Sequence, residues 1–485
     1  MKAPTMKSQT QTLARTCLAT CASALALAGC AFPTARENVD STAGIVAQQS
    51  GAAFRWRRSG DDDAAMLAAI DPLLASPLDA DRAIAVAYLA SPELQIALEK
   101  LEVSRADLVA AVTPPNPVAV IGVRDPGGSL SAFYPKRNVT LGVLQNVLAL
   151  LNMPARKRVA QYDLERVKLD TADRIVGLAA EVNQDWLELV AAKRIQQLRE
   201  RAAAASSAAL DTIVVGVANQ KDYGPLDLAL ERNAVYGAES QVLRAQLDVA
   251  TARARLAQQM GIAGLRDGWD VGSELPPLPA ADPDAAGLEA RALTQRLDLR
   301  AARQAVLLRL KALSNQRQFR WLGSLDLGLY RESVSGGTNF TGPNVVIELP
   351  LFDQRQSQLL AADAELRNAR RVLDSLTQTA RSELRTHAAE VVATRALAEK
   401  SRDAVLPNQR QILAQLGSSA EPGSVDRLHL RLQGLAAEEE ALGYLRDYWR
   451  ARGALARAAG DWGSLGVAAP AASQNGAKQG LTPPR

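Results

Sequence analysis

One cysteine near the start of the chain has neighbours that predict a covalent modification. Cys30 follows Leu27, Ala28 and Gly29, a short run of small and apolar residues. This is the pattern at which a lipoprotein signal is cut and the new N-terminal cysteine is acylated. We therefore expect residues 1–29 to be a lipoprotein signal peptide. Cys30 would then carry thioether-linked diacylglycerol and an amide-linked acyl chain such as palmitate.

The rest of this segment has the composition of a secretory signal. It contains three basic and no acidic residues, and an apolar run extends from Cys17 to Ala28. A run of about 12 residues is too short to span a bilayer, whereas two or three acyl chains anchor a protein firmly. A cleaved signal with an incidental cysteine is the alternative. An aspartate directly after the acylated cysteine is the usual signal that retains a lipoprotein at the inner membrane. This chain has Ala31 there, which favours localisation in the outer membrane.

The remaining composition excludes several classes of protein. Cys17 and Cys21 leave with the signal, so no disulfide can form within the mature chain. Loss of three positive charges reduces the net charge from +4 to +1, and the basic pI therefore implies no nucleic-acid partner. No nucleophile–base pair, paired catalytic carboxylates, phosphate loop or metal-binding spacing is evident. We expect neither an enzyme nor a protein with a cofactor or a metal site.

The sequence repeats itself at an interval of roughly 200 residues, which is a signature of internal duplication. Any one match is weak, but the matches occur in the same order in both halves. Gly224 and Gly261 are 37 residues apart, and so are Gly423 and Gly460. The other matched phrases are Ser91-Pro92-Glu93-Leu94 with Arg296-Leu297-Asp298-Leu299, Asn138-Val139 with Asn344-Val345, and Leu169-Asp170 with Leu373-Asp374.

The sequence pattern of each unit predicts a strand pair followed by a pair of long helices. Apolar and polar residues alternate at Ser324–Leu329 and at Asn344–Leu349, as in strands with one apolar face. A loop is expected between them, from Ser333 to Gly342. The first unit has the same alternation at Asn138–Val143, with a less clear partner at Val118–Val123.

Two segments of about 60 residues are nearly free of glycine and proline, Ala155–Val214 and Gln354–Leu416, with Pro407 as the main interruption. Each predicts about 90 Å of helix. A seven-residue apolar repeat predicts that the helices supercoil against partners, and His387 continues this repeat as a packed seam residue. The repeat positions are Leu359, Leu366, Leu373 and Ala380. The fold class is therefore mainly α with a small β part, built from a duplicated strand-pair and long-helix-pair unit.

Three phrases, together with this duplicated unit and the lipidation signal, resemble the TolC-type outer-membrane efflux family. The similarity covers roughly residues 80–462. The proline-leucine-phenylalanine-aspartate run at a strand-to-helix junction is its most specific part. The phrases are Leu89-Ala90-Ser91-Pro92-Glu93-Leu94, Arg296-Leu297-Asp298-Leu299-Arg300-Ala301-Ala302 and Glu348-Leu349-Pro350-Leu351-Phe352-Asp353.

The resemblance implies a homotrimer with a periplasmic α-barrel and a shared 12-stranded transmembrane β-barrel. Asp326 and Glu348 would then face the water-filled lumen, while the apolar strand residues would face outer-membrane lipid. The chain would be the channel component of a tripartite efflux system. It would act as a passive exit duct for substrates delivered by an inner-membrane transporter and a periplasmic adaptor protein. A lipid-anchored periplasmic helical scaffold without a pore is the alternative function.

The resemblance also implies that each helix pair turns at a periplasmic tip, which closes the channel and meets the adaptor. Gly224 and Gly423 occupy those turns. Asp227 and Asp426, three positions after each glycine, are candidate gate residues, and helix capping is the alternative. The position six residues after the second glycine is His429, which in three copies could sense pH or bind a metal. A solvated tip histidine is the alternative.

These expectations divide the chain into a signal peptide, an anchor with a linker, two repeats joined by a second linker, and a disordered tail. We expect residues 31–60 to be part of the first linker. The ranges are 1–29, 30–80, 81–270, 271–290, 291–462 and 463–485, where the two repeats are 81–270 and 291–462.

Overall fold

A computed structural model describes most of the chain beyond the signal segment. The described residues are 34–50, 54–124, 138–218, 223–282, 287–321, 323–334, 338–418 and 424–465. The first half contains α1 (Ala35–Ser50), α2 (Gly60–Leu74), α3 (Ala80–Ala90), α4 (Pro92–Val112), β1 (Val118–Arg124), β2 (Asn138–Asn146), α5 (Val147–Ala218) and α6 (Pro225–Met260).

The second half repeats this order from α7 onward, with one irregular turn inside the long helix. Its elements are α7 (Leu288–Gln295), α8 (Leu297–Gln318), β3 (Leu325–Val334), β4 (Thr338–Ile347), α9 (Gln356–Lys400), a π-turn (Ser401–Val405), α10 (Leu406–Ser418), α11 (Ser424–Ala459) and the short α12 (Trp462–Leu465). The predicted order of strand pair, long helix and returning helix is thus present in both halves.

The duplication is visible in two glycine joints. Gly261 ends α6 and Gly460 follows α11, each in the left-handed conformation with φ of 74° and 67°. A Cβ on Gly261 would lie 2.6 Å from the carbonyl oxygen of Ala90, at the junction of α3 and α4. A Cβ on Gly460 would lie 3.1 Å from the backbone nitrogen of Arg296, at the junction of α7 and α8. Both joints therefore need glycine for the same reason, which is conformation and close backbone approach.

The long helices form a layer in the order α6, α5, α11 and α9, because α5 packs against α6 and α11, and α11 packs against α9. Nearer the strands, α4 and α8 also pack on α5. By length and composition alone, α5 is the one described helix that could cross a membrane. Its 72 residues exceed a bilayer span several times over. Because α4, α6, α8 and α11 all pack on it, α5 is the central helix of the layer.

The prediction that residues 31–60 form a linker is wrong for the part that the structure describes. Helix α1 packs against α4 and α5, and Thr42 and Val46 are completely buried. Helix α2 also reaches the main core through Met66 and Ile70. An apolar residue recurs near every helical turn in both segments, so each has a face to bury. This segment is therefore part of the helical body.

The second long helix is interrupted where the first is continuous. The π-turn precedes Pro407, the interruption that the sequence predicted. Proline lacks an N–H group and its ring crowds the preceding turn, so the helix must widen or bend near it. At the equivalent level α5 continues as regular helix. The two long helices therefore differ in local backbone geometry.

An extended segment, residues 271–282, crosses the helix layer, and we call it the strap. Helix side chains hold it by its backbone. Trp449 Nε1 donates to Pro276 O at 2.8 Å, and an Arg395 Nη donates to Pro279 O at 2.9 Å. The Tyr448 hydroxyl donates to the Asp282 carboxylate at 2.5 Å. Burial and this hydrogen bond raise the pKa of Tyr448 to about 12.

The expected boundary of the second linker at residue 290 falls inside a helix, because α7 begins at Leu288. Leu288 and Ala292 of α7 are fully buried. The linker therefore ends about one helical turn earlier than the sequence suggested. Its first part, the strap, is an ordered element of the core, to which it contributes Val271 and Leu275.

Candidate functional site: the sheet and the helical tip

The four strands form one antiparallel sheet in the order β1-β2-β3-β4. The two halves meet in its centre, where β2 pairs with β3 from Asn138↔Val334 to Asn146↔Asp326. Strands β1 and β4 are the edges, and neither pairs with a further described strand on its outer side. Each copy of the chain thus presents two open sheet edges.

One face of this sheet is predominantly apolar, and all four strands contribute apolar residues to it. Because side chains alternate along a strand, the pairing register decides which residues share a face. Ile121 is paired with Leu141, Val143 with Leu329, and Leu327 with Val345. Most of these side chains are more than half exposed to the surroundings. The apolar members of this face are Ala119, Ile121, Val123, Val139, Leu141, Val143, Leu325, Leu327, Leu329, Pro343, Val345 and Ile347, and its polar members are Gln145, Arg331, Ser333, Asn339 and Thr341.

The opposite face is more polar and includes Asp326. The register places Asp326 between Asn146 and Val346. Further along the same face, Glu332 accepts hydrogen bonds from the Tyr330 hydroxyl at 2.9 Å and from Asn138 Nδ2 at 3.0 Å. At the level of β3 from Asp326 to Glu332, this face is therefore the more polar of the two. Asp326 thus lies on the face opposite to Leu325 and Leu327.

The structure corrects the predicted ends of the second strand pair. The segment Ser333–Gly342, expected to be a loop, is mostly strand, because β3 continues to Val334 and β4 begins at Thr338. The alternation pattern missed this part because apolar residues are scarce in it. At the other end, the amide of Glu348 donates to Ser324 O at 3.1 Å. Pairing thus extends one residue past β4 and puts Glu348 on the Asp326 face.

Large apolar side chains surround the strand-to-helix junctions. Phe352 is 92% exposed, and Leu349 and Leu351 are also exposed. Trp321, just before β3, is 57% exposed and has the guanidinium of Arg320 4.0 Å from its ring centroid. Aromatic residues with a cationic neighbour are typical of a membrane–water interface.

The tip lies at the opposite end of α5 from the sheet, about 110 Å away at 1.5 Å per residue. Gly224 precedes α6 there, and its amide donates to Asp227 Oδ2 at 2.7 Å. This contact is one half of a capping box, since the carboxylate at the third helical position accepts from the N-cap amide while glycine has no side chain for the reciprocal bond. Asp227 therefore has the capping role that the sequence gave as the alternative to a gate role.

A second carboxylate at the tip was missed by the sequence reasoning. Glu231 is one helical turn beyond Asp227 and 95% buried, and its Oε2 lies 3.3 Å from Nε2 of His429. Its Oε1 has no hydrogen-bond partner in the described part of the chain. The contact joins α6 to α11, so His429 is half exposed but not merely solvated. Glu231 is four residues after Asp227, and this spacing, which puts both carboxylates on one face of α6, was the sequence signal that could have identified it.

Three predicted site residues cannot be placed. Cys30 and Gly423 lie outside the described residues, and Asp426 lies in α11 with its side chain outside them. His387 is described and half buried, and its Nδ1 lies 2.8 Å from Glu390.

The phrase around Arg296 proves to be a buried ion cluster between helices. Arg296 donates to Asp298 at 2.8 Å and to Glu383 at 2.7 Å. Burial disfavours the charge of Arg296, but these hydrogen bonds outweigh it and raise its pKa above the usual range. Arg457 forms a bidentate pair with Asp173 nearby, with both distances 2.8 Å. Arg296 also donates to Ala458 O of α11 at 3.3 Å, so these contacts tie α8, α9, α11 and α5 together as a structural element.

Comparison with solved structures identifies this arrangement of sheet, rods and tip as the fold of the TolC-type outer-membrane channels. The Campylobacter jejuni CmeC outer membrane channel superimposes with a TM-score of 0.65 at 14% identity, over 80% of this chain and 86% of that chain. A Pseudomonas aeruginosa membrane protein gives 0.64 at 18% identity, over 78% and 92%.

The open state of the Neisseria gonorrhoeae MtrE outer membrane channel gives a TM-score of 0.61 at 16% identity, over 80% of this chain and 90% of that chain. No protein-family model and no curated protein matches the chain. The resemblance seen in the sequence is thus confirmed at the level of the fold.

Proposed function

We propose that this protein is the outer-membrane channel of a tripartite efflux or export system and works as a homotrimer. Cargo would enter at the tip and leave through the β-barrel that the strands form. An inner-membrane transporter would supply the energy and a periplasmic adaptor would join the two. The channel itself would be a passive duct anchored by acylated Cys30 and extending from the outer membrane into the periplasm.

The observation that carries this proposal is the open sheet with an apolar face. Unpaired strand edges cannot face lipid, because their backbone groups would have no hydrogen-bond partners there. Four strands are too few to close a barrel around an interior. Three copies would supply twelve strands and remove every edge. The apolar face would then contact lipid, and Asp326 and Glu348 would face the lumen.

The outer helices of the layer support assembly as well. Helices α6 and α9 lie at its two ends, and both carry large exposed apolar side chains along their length. Such seams are typical of helices that pack against a partner. On α6 they are Leu226, Leu230, Tyr236, Leu243 and Leu247, and on α9 they are Leu360, Val372, Val392 and Leu397. Packing α6 of one copy against α9 of the next would cover both seams and close a ring of rods.

At the tip, we propose that the turns at Gly224 and Gly423 form the closed entrance and meet the adaptor. Asp227 caps α6, and Asp426 holds the equivalent position in the second repeat. The contact between Glu231 and His429 fastens the two helix pairs of one chain to each other. Opening of the entrance would then require the two pairs to separate or to move together.

A matched pair of neighbouring positions tests the membrane assignment. Val345 lies on the apolar face and Asn344 on the other face of the same strand. A lysine on a lipid-facing site costs about 2–4 kcal/mol near the bilayer midplane. We expect Val345→Lys to lower the yield of inserted trimers, whereas Asn344→Lys should insert and conduct in planar lipid bilayers.

The same measurement separates the two candidate functions. Trimers with discrete conductance steps would support the channel. A monomeric rod that is extracted without detergent and gives no conductance would refute it and favour the scaffold. Equal behaviour of the two lysine variants would refute the assignment of the sheet faces.

A further inference from the structure

A cavity of about 510 Å³ lies where the strap meets the π-turn. Helix α11 forms its floor. One wall is α5, and the other runs from the end of α9 through the π-turn into α10. Sites for small organic ligands have volumes in this range. The sheet faces and the tip contribute no residue to it, so it is a separate site.

The end of the cavity beneath the strap is apolar. Leu198 of α5, Leu275 of the strap and Ala398 of α9 are buried there. Leu278 and Leu445 add partly buried apolar surface. This end lies next to the contacts of Arg395 and Trp449 with the strap, so the strap closes it.

The other end of the cavity carries positive charge. Arg402 and Arg410 stand eight residues apart on one wall, which corresponds to about 12 Å. Arg402 forms an ion pair with its exposed neighbour Asp403, and Arg410 has no hydrogen bond or ion pair to any residue that the structure describes. Arg194 on the facing wall donates to the neutral amide of Gln197. Glu438 is the one acid among the lining residues, so arginine is in excess.

We propose that this cavity binds an anionic amphiphile, with a carboxylate or sulfate head at Arg402 and Arg410 and an apolar body beneath the strap. Guanidinium groups match such heads through paired, charge-assisted hydrogen bonds. Burying the body against leucines supplies the rest of the affinity. A helix of a partner protein would need a groove that is open at both ends, whereas the strap closes this one.

The site is independent of pore formation. It lies over α11, between helices of one chain, and not at the exposed seams of α6 and α9. Assembly through those seams therefore leaves it open. A chain that fails to conduct would still be expected to bind the amphiphile, so the two proposals can fail separately.

Photo-crosslinking of the full chain in nanodiscs tests the proposal. The probe is a long-chain fatty acid with a diazirine in its alkyl chain, and the labelled peptides are mapped by mass spectrometry. We expect labelling of the strap and of the α11 segment around Leu445. Labelling of these peptides should fall about tenfold in the Arg402→Ala/Arg410→Ala variant. Labelling of the strands should not change, since it reports lipid contact.

Two controls separate the site from general partitioning. Arg385→Ala removes an arginine that is 78% exposed elsewhere on α9 and should leave labelling unchanged. The same diazirine chain with an uncharged alcohol head should label the strap much less. Leu445→Trp should fill the apolar end and block labelling even with both arginines present. Unchanged strap labelling in the double variant, or equal labelling by the alcohol probe, would overturn the proposal.

Discussion

Replacing Gly261 by alanine should cost far more stability than the same change at Gly264, although both glycines have nearly the same φ. The values are +74° and +73°. An alanine in this left-handed conformation costs about 1 kcal/mol by itself. At Gly264 nothing lies within 4 Å of the new Cβ, so we expect only that cost.

At Gly261 the new Cβ would lie 2.6 Å from the oxygen and 2.8 Å from the carbon of the Ala90 carbonyl. These are backbone atoms at the junction of α3 and α4, so they cannot turn aside as a flexible side chain would. Displacing packed structure adds about 1–3 kcal/mol. The total expected for Gly261→Ala is therefore about 2–4 kcal/mol. Gly460→Ala should fall between the two, because its nearest backbone atom lies at 3.1 Å.

Urea unfolding of the detergent-solubilised protein, followed by circular dichroism at 222 nm, measures these differences. The three variants differ by one methyl group each from the parent, which makes them matched. If Gly261→Ala and Gly264→Ala lower the free energy of unfolding equally, close approach at the joint is not what requires glycine. The structural equivalence of the two joints would then lose its support.

Two further predictions concern the strap and the tip. The usual pKa of tyrosine is 10.0, and that of Tyr448 is raised to about 12. The hydroxyl therefore stabilises the fold fully below pH 10, and this stabilisation is lost as the pH rises through 12. Alkaline titration should thus lower the stability of the parent more than that of Tyr448→Phe, and parallel curves would contradict this. His429→Ala should leave the buried Glu231 carboxylate without its partner at a cost of about 1–3 kcal/mol, seen as faster limited proteolysis at the tip. Adding Glu231→Leu should restore resistance, and a double variant as sensitive as His429→Ala would refute this account.

Periodicity predicted those parts of the fold that repeat. The alternation at Leu325, Leu327 and Leu329 placed these residues on one face, and the glycine spacing of 37 residues marked equivalent joints. The long helices followed from the scarcity of glycine and proline. These signals are local, because they depend on spacing along one element.

The features that sequence reasoning missed depend on contacts between distant segments. The ordered α1 is stabilised by packing on α4 and α5, and the strap by helices up to 173 residues away, as Trp449 and Pro276 illustrate. The contact of Glu231 with His429 joins α6 to α11 at the tip, across a sequence separation of 198 residues. The strand extension through Ser333 is set by its partner Asn339 across the hairpin. Local propensity carries little information about such pairings.

The number of strands in each copy limits how copies can join. Directions alternate along the sheet, so the first and last strands point opposite ways and a neighbour's first strand can continue the alternation without a parallel junction. Any count of identical subunits would satisfy that rule, and strand polarity therefore permits closure without choosing its size. The width of the helix layer in each subunit, and the angle at which the layers of neighbouring subunits meet, must therefore decide how many subunits close the barrel.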